Sequence, residues 1–323
     1  MSIPKLKKQF LEVSDALELG NPSIPEKDYW VVSLLALLED VKSENHLLVF
    51  SGGTALAKSN IKILRMSEDV DIKLIPTAEF INKSKGAKKK ARKALVEHII
   101  MKLADHPYLN YADKTVNDEY RYVEIEIKYP QQYHQAPCLR PYIKLEFIET
   151  IELHGIELRA ISSLVAQSYK QPGEVKAMLC VSIDSTLVEK VLSMLRRTMS
   201  VKRNPHRKDD DTLVRHIYDV HCIFIGHRVD MDVLRPMFDS ILEEDRIRFG
   251  NQHQEFVDDP RNELKLGLEE LQNNEKFREH FNAFVAPMVY NSKPHDFDTC
   301  IASFKLISER LIINTSIKSL IPT

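Results

Sequence analysis

Hydrophobic and polar positions change rhythm part-way along this chain. From Tyr120 they alternate: Val123, Ile125, Ile127 and Tyr129 point one way, Glu124, Glu126 and Lys128 the other, as in a half-buried antiparallel strand. Tyr142–Ile148 repeats the pattern, with Ile143, Leu145 and Phe147 packing and Lys144 and Glu146 opposite. Leu47–Phe50 is a short apolar run fit for one buried strand, and Asp69–Ile72 begins another that Pro76 ends. Residues 156–183 hold one or two more strands around a Gln171-Pro172-Gly173 turn. Residues 1–20 read as a helical lead-in, and Ser23-Ile24-Pro25-Glu26 as a capping box opening a helix to about Asn45. From Asp184 onward the period is helical: Thr186–Thr198, Asp211–Phe224, Met231–Ile247, Asn262–Asn273, Glu275–Val285 and Asp298–Ile317. The expected fold class is α/β, of the α+β kind, with a mixed sheet and flanking helices over residues 1–183 and a helical domain over 184–323.

Composition narrows this only a little. The chain has 323 residues, of which 43% are hydrophobic, so it can bury a real core. A net charge of −2 gives no global pull toward nucleic acid or membrane, so any such attraction is local. Residues 83–93 form one basic patch (Lys83, Lys85, Lys88, Lys89, Lys90, Arg92, Lys93) without an acid. It reads as a solvated helix start or as an RNA phosphate contact. Lysines there oppose the helix macrodipole, which favours a partner, and the absence of aromatics leaves base stacking unindicated. Residues 196–208 form a second patch (Arg196, Arg197, Lys202, Arg203, His206, Arg207, Lys208). The cysteines at 138, 180, 222 and 300 are far apart, which argues against a zinc site or disulfide framework and fits a reducing cytoplasm. The longest apolar-rich run, Val31–Leu38, is far too short to span a bilayer, so a cytoplasmic chain with no membrane partner is expected.

The candidate chemistry lies between Val49 and Ile72. Ser51-Gly52-Gly53-Thr54 breaks the first strand with a turn where a ligand can approach bare backbone, and Thr54 reads as the cap of the following helix. With fifteen residues between Gly53 and Asp69, Asp69 and Asp71 sit one step apart on extended chain, on the face opposite Val70 and Ile72. Two such carboxylates can grip one hard cation, Mg²⁺ above all. A third carboxylate from a neighbouring strand completes such a site, either Glu146 or Glu126; Glu146 is the choice made here. Arg65 and Ser67 share the aspartates' face if the strand extends that far. Farther on, Thr186, Lys190, Ser193 and Arg197 form one polar helix stripe. Arg215 and Asp219, one turn apart, read alone as an ordinary i,i+4 salt bridge, and His216 and His221 as ordinary helix histidines.

Taken together, GGTAL followed by R-x-S-x-D-x-D resembles the AbiEii/AbiGii toxin family of nucleotidyltransferases. Thr186-Leu187-Val188-Glu189-Lys190-Val191, then Arg197, then Arg215-His216-Ile217-Tyr218-Asp219-Val220 extend the likeness in order and rough spacing. Met66 and Val70 depart from the commoner family residues but stay apolar, and neither the lysine-rich segment nor the C-terminal third is explained by the resemblance. The resemblance implies a nucleotidyltransferase domain over 1–183 and a helical domain over 184–323 that closes the nucleotide cleft. It implies transfer of NMP from an NTP with Mg²⁺ (or Mn²⁺) held by Asp69, Asp71 and Glu146. Lys190 and Asp219 join those three in catalysis. Ser51, Gly52, Gly53, Thr54, Arg65, Ser67, Lys190, Arg197 and Arg215 contact the nucleotide. The implied acceptor is RNA, at the 3′ end of tRNA, and the implied regulator is a cognate antitoxin of a toxin–antitoxin or phage-defence pair. A small-molecule nucleotidyltransferase and a non-catalytic nucleotide-binding module are the rival readings.

Overall fold

The computed structural model describes residues 3–136, 139–150, 154–290 and 293–313. Cys138 and the expected helix end beyond Ile313 fall outside these residues. The described residues up to Asn60 and from Leu64 to Ser182 form one compact unit; Ile61–Ile63 and those from Ile183 onward form another.

The first unit contains α1 (Ile3–Ala16), α2 (Ser23–Glu39), β1 (His46–Ser51), α3 (Gly52–Ala57), β2 (Val70–Pro76), α4 (Ala78–Ile81), α5 (Lys85–Ala104), β3 (Asn110–Asn117), β4 (Tyr122–Lys128), β5 (Ile143–Glu149), β6 (Ile156–Ile161), α6 (Leu164–Ser168) and β7 (Val175–Val181). The strands make one seven-stranded mixed sheet in the order β3-β4-β5-β2-β1-β7-β6. β2 pairs antiparallel with β1 and parallel with β5. Alternation makes the sheet two-faced. Val70, Ile72, Leu74, Val123, Ile125, Ile127, Ile143, Leu145 and Phe147 are buried in one core with Trp30, Leu34 and Leu38 of α2 and Val96, Ile99 and Leu103 of α5. The alternate positions of the same strands carry Asp71, Lys144, Glu146, Tyr122, Glu124 and Glu126.

Four expectations change. The capping box does not form: Ser23 lies inside α2, whose N-cap is Pro22. Ser23 Oγ instead accepts from the amide of Ala136, and the Glu26 carboxylate from the amides of Gln132 and Tyr133, so both hold the 132–136 connection. α2 stops at Glu39, whose carboxylate takes the amides of Lys176 and Ala177 on β7. Asp211–Phe224 divides into a 3-10 turn and a separate helix. β3 is a strand the hydrophobic pattern does not announce. It is a half-exposed edge strand, bulged between Tyr111 and Asp113, paired with β4 alone, so few of its residues need be apolar.

The second unit is helical: α7 (Ile183–Arg203), α8 (Arg215–Gly226), α9 (Met231–Phe249), α10 (Gln254–Asp258), α11 (Pro260–Asn273), α12 (Lys276–Phe284) and α13 (Phe297–Ile312). α7 packs against α8, α9 and α11. A Cβ on Gly267 would come within 2.8 Å of the Leu195 carbonyl oxygen, so glycine permits the α7–α11 approach. The Tyr218 hydroxyl donates to the Ile63 carbonyl at 2.8 Å, tying Ile61–Ile63 to this unit. No described helix is long and apolar enough to cross a membrane.

Glu149, at the end of β5, anchors a buried ion network. Arg92 of α5 donates to both its oxygens at 2.6 and 2.7 Å, and His46 Nε2 lies 2.9 Å from Oε2. Burial alone would raise this carboxyl; His46 and Arg92 outweigh it and pull it down to about 2. A depressed carboxylate contributes stability above its unfolded value and loses it as pH falls toward the folded one. Glu149→Gln should therefore cost on the order of 2–3 kcal/mol at pH 7, with the gap to wild type closing between about pH 4.5 and pH 2. Urea unfolding across that range checks this; a gap independent of pH would contradict it.

Candidate active site

β1 ends at Ser51 in extended conformation, and its hydroxyl donates to the Asp71 carbonyl across the β1–β2 pair at 3.1 Å. Gly52 then turns with φ +77°, where a Cβ would lie 1.9 Å from Asp71 Oδ2. The carboxylate is thus set directly against bare backbone, and only glycine allows it. Gly53 is crowded next: a Cβ there would be 2.9 Å from Ser67 Oγ and 3.1 Å from Arg65 Nη2. Thr54 is not a helix cap. It lies inside the six-residue α3, and its hydroxyl donates to Ser67 Oγ at 2.9 Å. β2 starts at Val70, so Arg65, Ser67 and Asp69 precede the strand. Contacts with the glycine turn, rather than an extended strand face, bring Arg65 and Ser67 to Gly53.

Sheet register settles which carboxylate neighbours Asp71. Glu146 is its partner on β5, whereas Glu126 on β4 faces Lys144. Burial, then the charges of Glu146 and Asp69, push the Asp71 carboxyl well above the ordinary range. Burial also works to raise Glu146, but Lys144, Tyr122 and a hydrogen bond with Asp71 hold it below its usual value. Of the two, Asp71 is therefore the carboxyl that holds a proton more readily. The Tyr122 hydroxyl donates to Glu146 Oε1 at 2.8 Å, and Glu124 Oε2 lies 3.1 Å from the same hydroxyl oxygen.

Positive charge closes around this acidic group. Lys144 Nζ donates to Glu146 Oε1 at 2.7 Å and lies 3.8 Å from Asp69 Oδ2. The Arg140 guanidinium donates to Asp69 Oδ1. Arg140 is itself held from below: its amide donates to Glu68 Oε2 at 3.0 Å, and its carbonyl accepts from Lys27 Nζ at 2.7 Å. Lys27 and Glu68 are buried and 3.1 Å apart. An all-oxygen donor set that holds positive charge around itself fits a hard divalent cation.

The remaining candidates belong to the helical unit. Lys190 Nζ lies 2.8 Å from Asp219 Oδ2, joining α7 to α8, and Asp219 is fully buried. Arg197 pairs with Asp210 at 2.7 Å, and Arg215 opens α8. Most of the 196–208 patch is engaged internally: Arg196 with Asp245, Lys202 with Glu270, Arg203 with Glu263 and Arg207 with Ser200. In the 83–93 patch Arg92 is buried on Glu149, while Lys89 and Lys90 are exposed. Asp209, Asp211 and His280 also bring possible ligand atoms within 4.8 Å of one another, but Asp209 already binds Lys276. The Asp69–Asp71–Glu146 set is more open than that, with Asp69 turned to Arg140.

The family described as nucleotidyl transferase AbiEii toxin of type IV toxin–antitoxin systems matches residues 34–303. The chain belongs to this family. As an AbiEii-family member it is a nucleotidyltransferase, a class that generally works with an NTP and a divalent metal. Its structure is similar to that of MenT4, a nucleotidyltransferase toxin from Mycobacterium tuberculosis H37Rv, with a TM-score of 0.62. The match covers 95% of this chain and 90% of that one at 17% identity, so it shows a shared fold. No curated protein matches the AbiEii-family chain.

Sequence reading does not find Tyr122, Glu124, Arg140 or the Lys27–Glu68 pair. Glu68, inside the S-x-D-x-D stretch, carried a local signal; the others arrive through strand register and chain crossing. Gly52→Ala should lower nucleotidyl transfer at least about a hundredfold, because the added methyl displaces Asp71 by more than an ångström. Left-handed alanine should cost roughly 1–2 kcal/mol and the clash with Asp71 adds to it, so activity is compared on protein that the melt shows to be folded. Transfer rates beside a thermal melt check this; activity within twofold of wild type would contradict it.

Proposed function

We propose that this nucleotidyltransferase transfers an NMP from an NTP to the 3′ end of an RNA, with tRNA the acceptor the family resemblance implies, and that it acts as a toxin checked by a cognate antitoxin. The observation that carries the reading is the Asp71–Glu146 pair, set against the bare backbone of Gly52 with Asp69 beside it. Asp69, Asp71 and Glu146 would hold Mg²⁺, or Mn²⁺ in its place; such an ion, when bound, stabilises charge on the attacking and leaving oxygens.

The chain's own residues supply the rest. Gly52 and Gly53 form the turn assigned to the triphosphate; their missing side chains give space to Asp71, Ser67 and Arg65, and the Ser51 and Thr54 hydroxyls tie the turn to the 67–71 segment. The acceptor hydroxyl oxygen bonds to the α-phosphorus, the bond to the β-phosphate bridging oxygen breaks, and pyrophosphate leaves. One of the three carboxylates, in its ionised form, takes the hydroxyl proton. The assignment of Lys190, Arg197 and Arg215 to the phosphates, with buried Asp219 orienting Lys190, rests on the sequence motifs and the Lys190–Asp219 pair. Lys88, Lys89 and Lys90 at the start of α5 are the cations offered to RNA phosphates.

One observation favours a small-molecule acceptor instead: the second basic patch is largely consumed by internal ion pairs. Label transfer from each α-labelled NTP to total RNA with Mg²⁺ separates the two. The expected result is label on RNA with wild type, none with Asp69→Ala, and severalfold less with Lys88, Lys89 and Lys90 changed to Glu. Folded wild type that labels no RNA with any nucleotide would overturn the RNA acceptor.

A further inference from the structure

Lys144 has no role in the reading above, yet it is the side chain that bridges the proposed metal ligands. It stands on β5 two residues before Glu146, so its side chain leaves the same sheet face. Its ammonium is 2.7 Å from Glu146 Oε1 and 3.8 Å from Asp69 Oδ2, and its side chain is 18% exposed. A divalent ion held by Glu146 and Asp69 would need carboxylate lone pairs. An ammonium already donating to one of those oxygens competes for the same lone pairs, and two cations so close repel. Lysine is suited to yield: its charge is a compact point on a flexible four-carbon stem, unlike the rigid fork of Arg140 on the far side of Asp69.

We propose that Lys144 is a resident counter-cation of the metal site, which holds Glu146 and Asp69 together when no divalent ion is bound and is displaced when one binds. This rests on the reading of Asp69, Asp71 and Glu146 as metal ligands. Lys144 is thus a positioning residue: it balances crowded negative charge that would otherwise open the site, and it weakens metal binding when nucleotide is absent. A merely structural lysine would, on removal, loosen the carboxylates and weaken metal binding.

The test is Mn²⁺ binding to the full chain without nucleotide, by calorimetry at pH 8, for wild type, Lys144→Met and Glu146→Gln. Binding lost in Glu146→Gln defines the share that belongs to this site. The expected result is Mn²⁺ affinity at that site roughly tenfold or more higher in Lys144→Met, matching removal of a charge-assisted hydrogen bond. Affinity unchanged or lower in Lys144→Met, with binding still lost in Glu146→Gln, overturns the proposal and leaves the metal-site reading standing. Wild-type binding equal to that of Glu146→Gln overturns both. Should Lys144→Met fail to fold, the side-chain ammonium resonance of Lys144 in ¹⁵N-lysine wild type decides. Saturating Mg²⁺ should shift it toward a solvent-exposed lysine, and an unmoved resonance overturns the displacement.

Discussion

Asp71 and Glu146 lie side by side on parallel strands with Asp69 beside them, and three acids so placed cannot all stay charged without positive charge nearby. Much of the first unit answers that constraint. Burial and neighbouring acids push the Asp71 carboxyl up, Lys144 and Tyr122 hold Glu146, and Arg140 holds Asp69. Arg140 is in turn seated by Glu68 and Lys27, so α2 reaches the carboxylates through buried ion pairs. Gly52 completes the arrangement from the other side, since any side chain there would occupy the space of Asp71. The sheet provides the frame by devoting one face to the core and the other to these groups.

Buried elements were readable in the sequence because burial imposes a period. β2, β4 and β5 each bury alternate residues, and their strict alternation gives them away. β3 escapes because an edge strand with most of its residues in contact with water has no such pattern to keep. At the site, the glycine turn and the Asp-x-Asp pair are local in the chain and were legible. The choice between Glu146 and Glu126 was not, since both alternate alike within their strands and only the β2–β5 register decides which stands beside Asp71. Arg140 and Tyr122 arrive from loops and strands far along the chain, a placement that no spacing rule expresses.

The helical unit carries a different kind of information. Its family motifs lie on α7 and α8, where Lys190 and Asp219 form a buried pair joining the two helices. Breaking a buried ion pair by removing one partner costs roughly 3–5 kcal/mol, so each member is as much a structural clamp as a candidate for chemistry. Loss of activity in a variant of either residue therefore speaks to catalysis only when stability is measured beside it.

The account turns on where a divalent ion binds. Crystals of the protein with Mn²⁺ and a non-hydrolysable NTP analogue, measured at the manganese edge, test this most directly. The account predicts an anomalous peak among Asp69, Asp71 and Glu146, with the analogue's phosphates at Gly52 and Gly53. A peak confined to Asp209, Asp211 and His280, with none at the glycine turn, would contradict it.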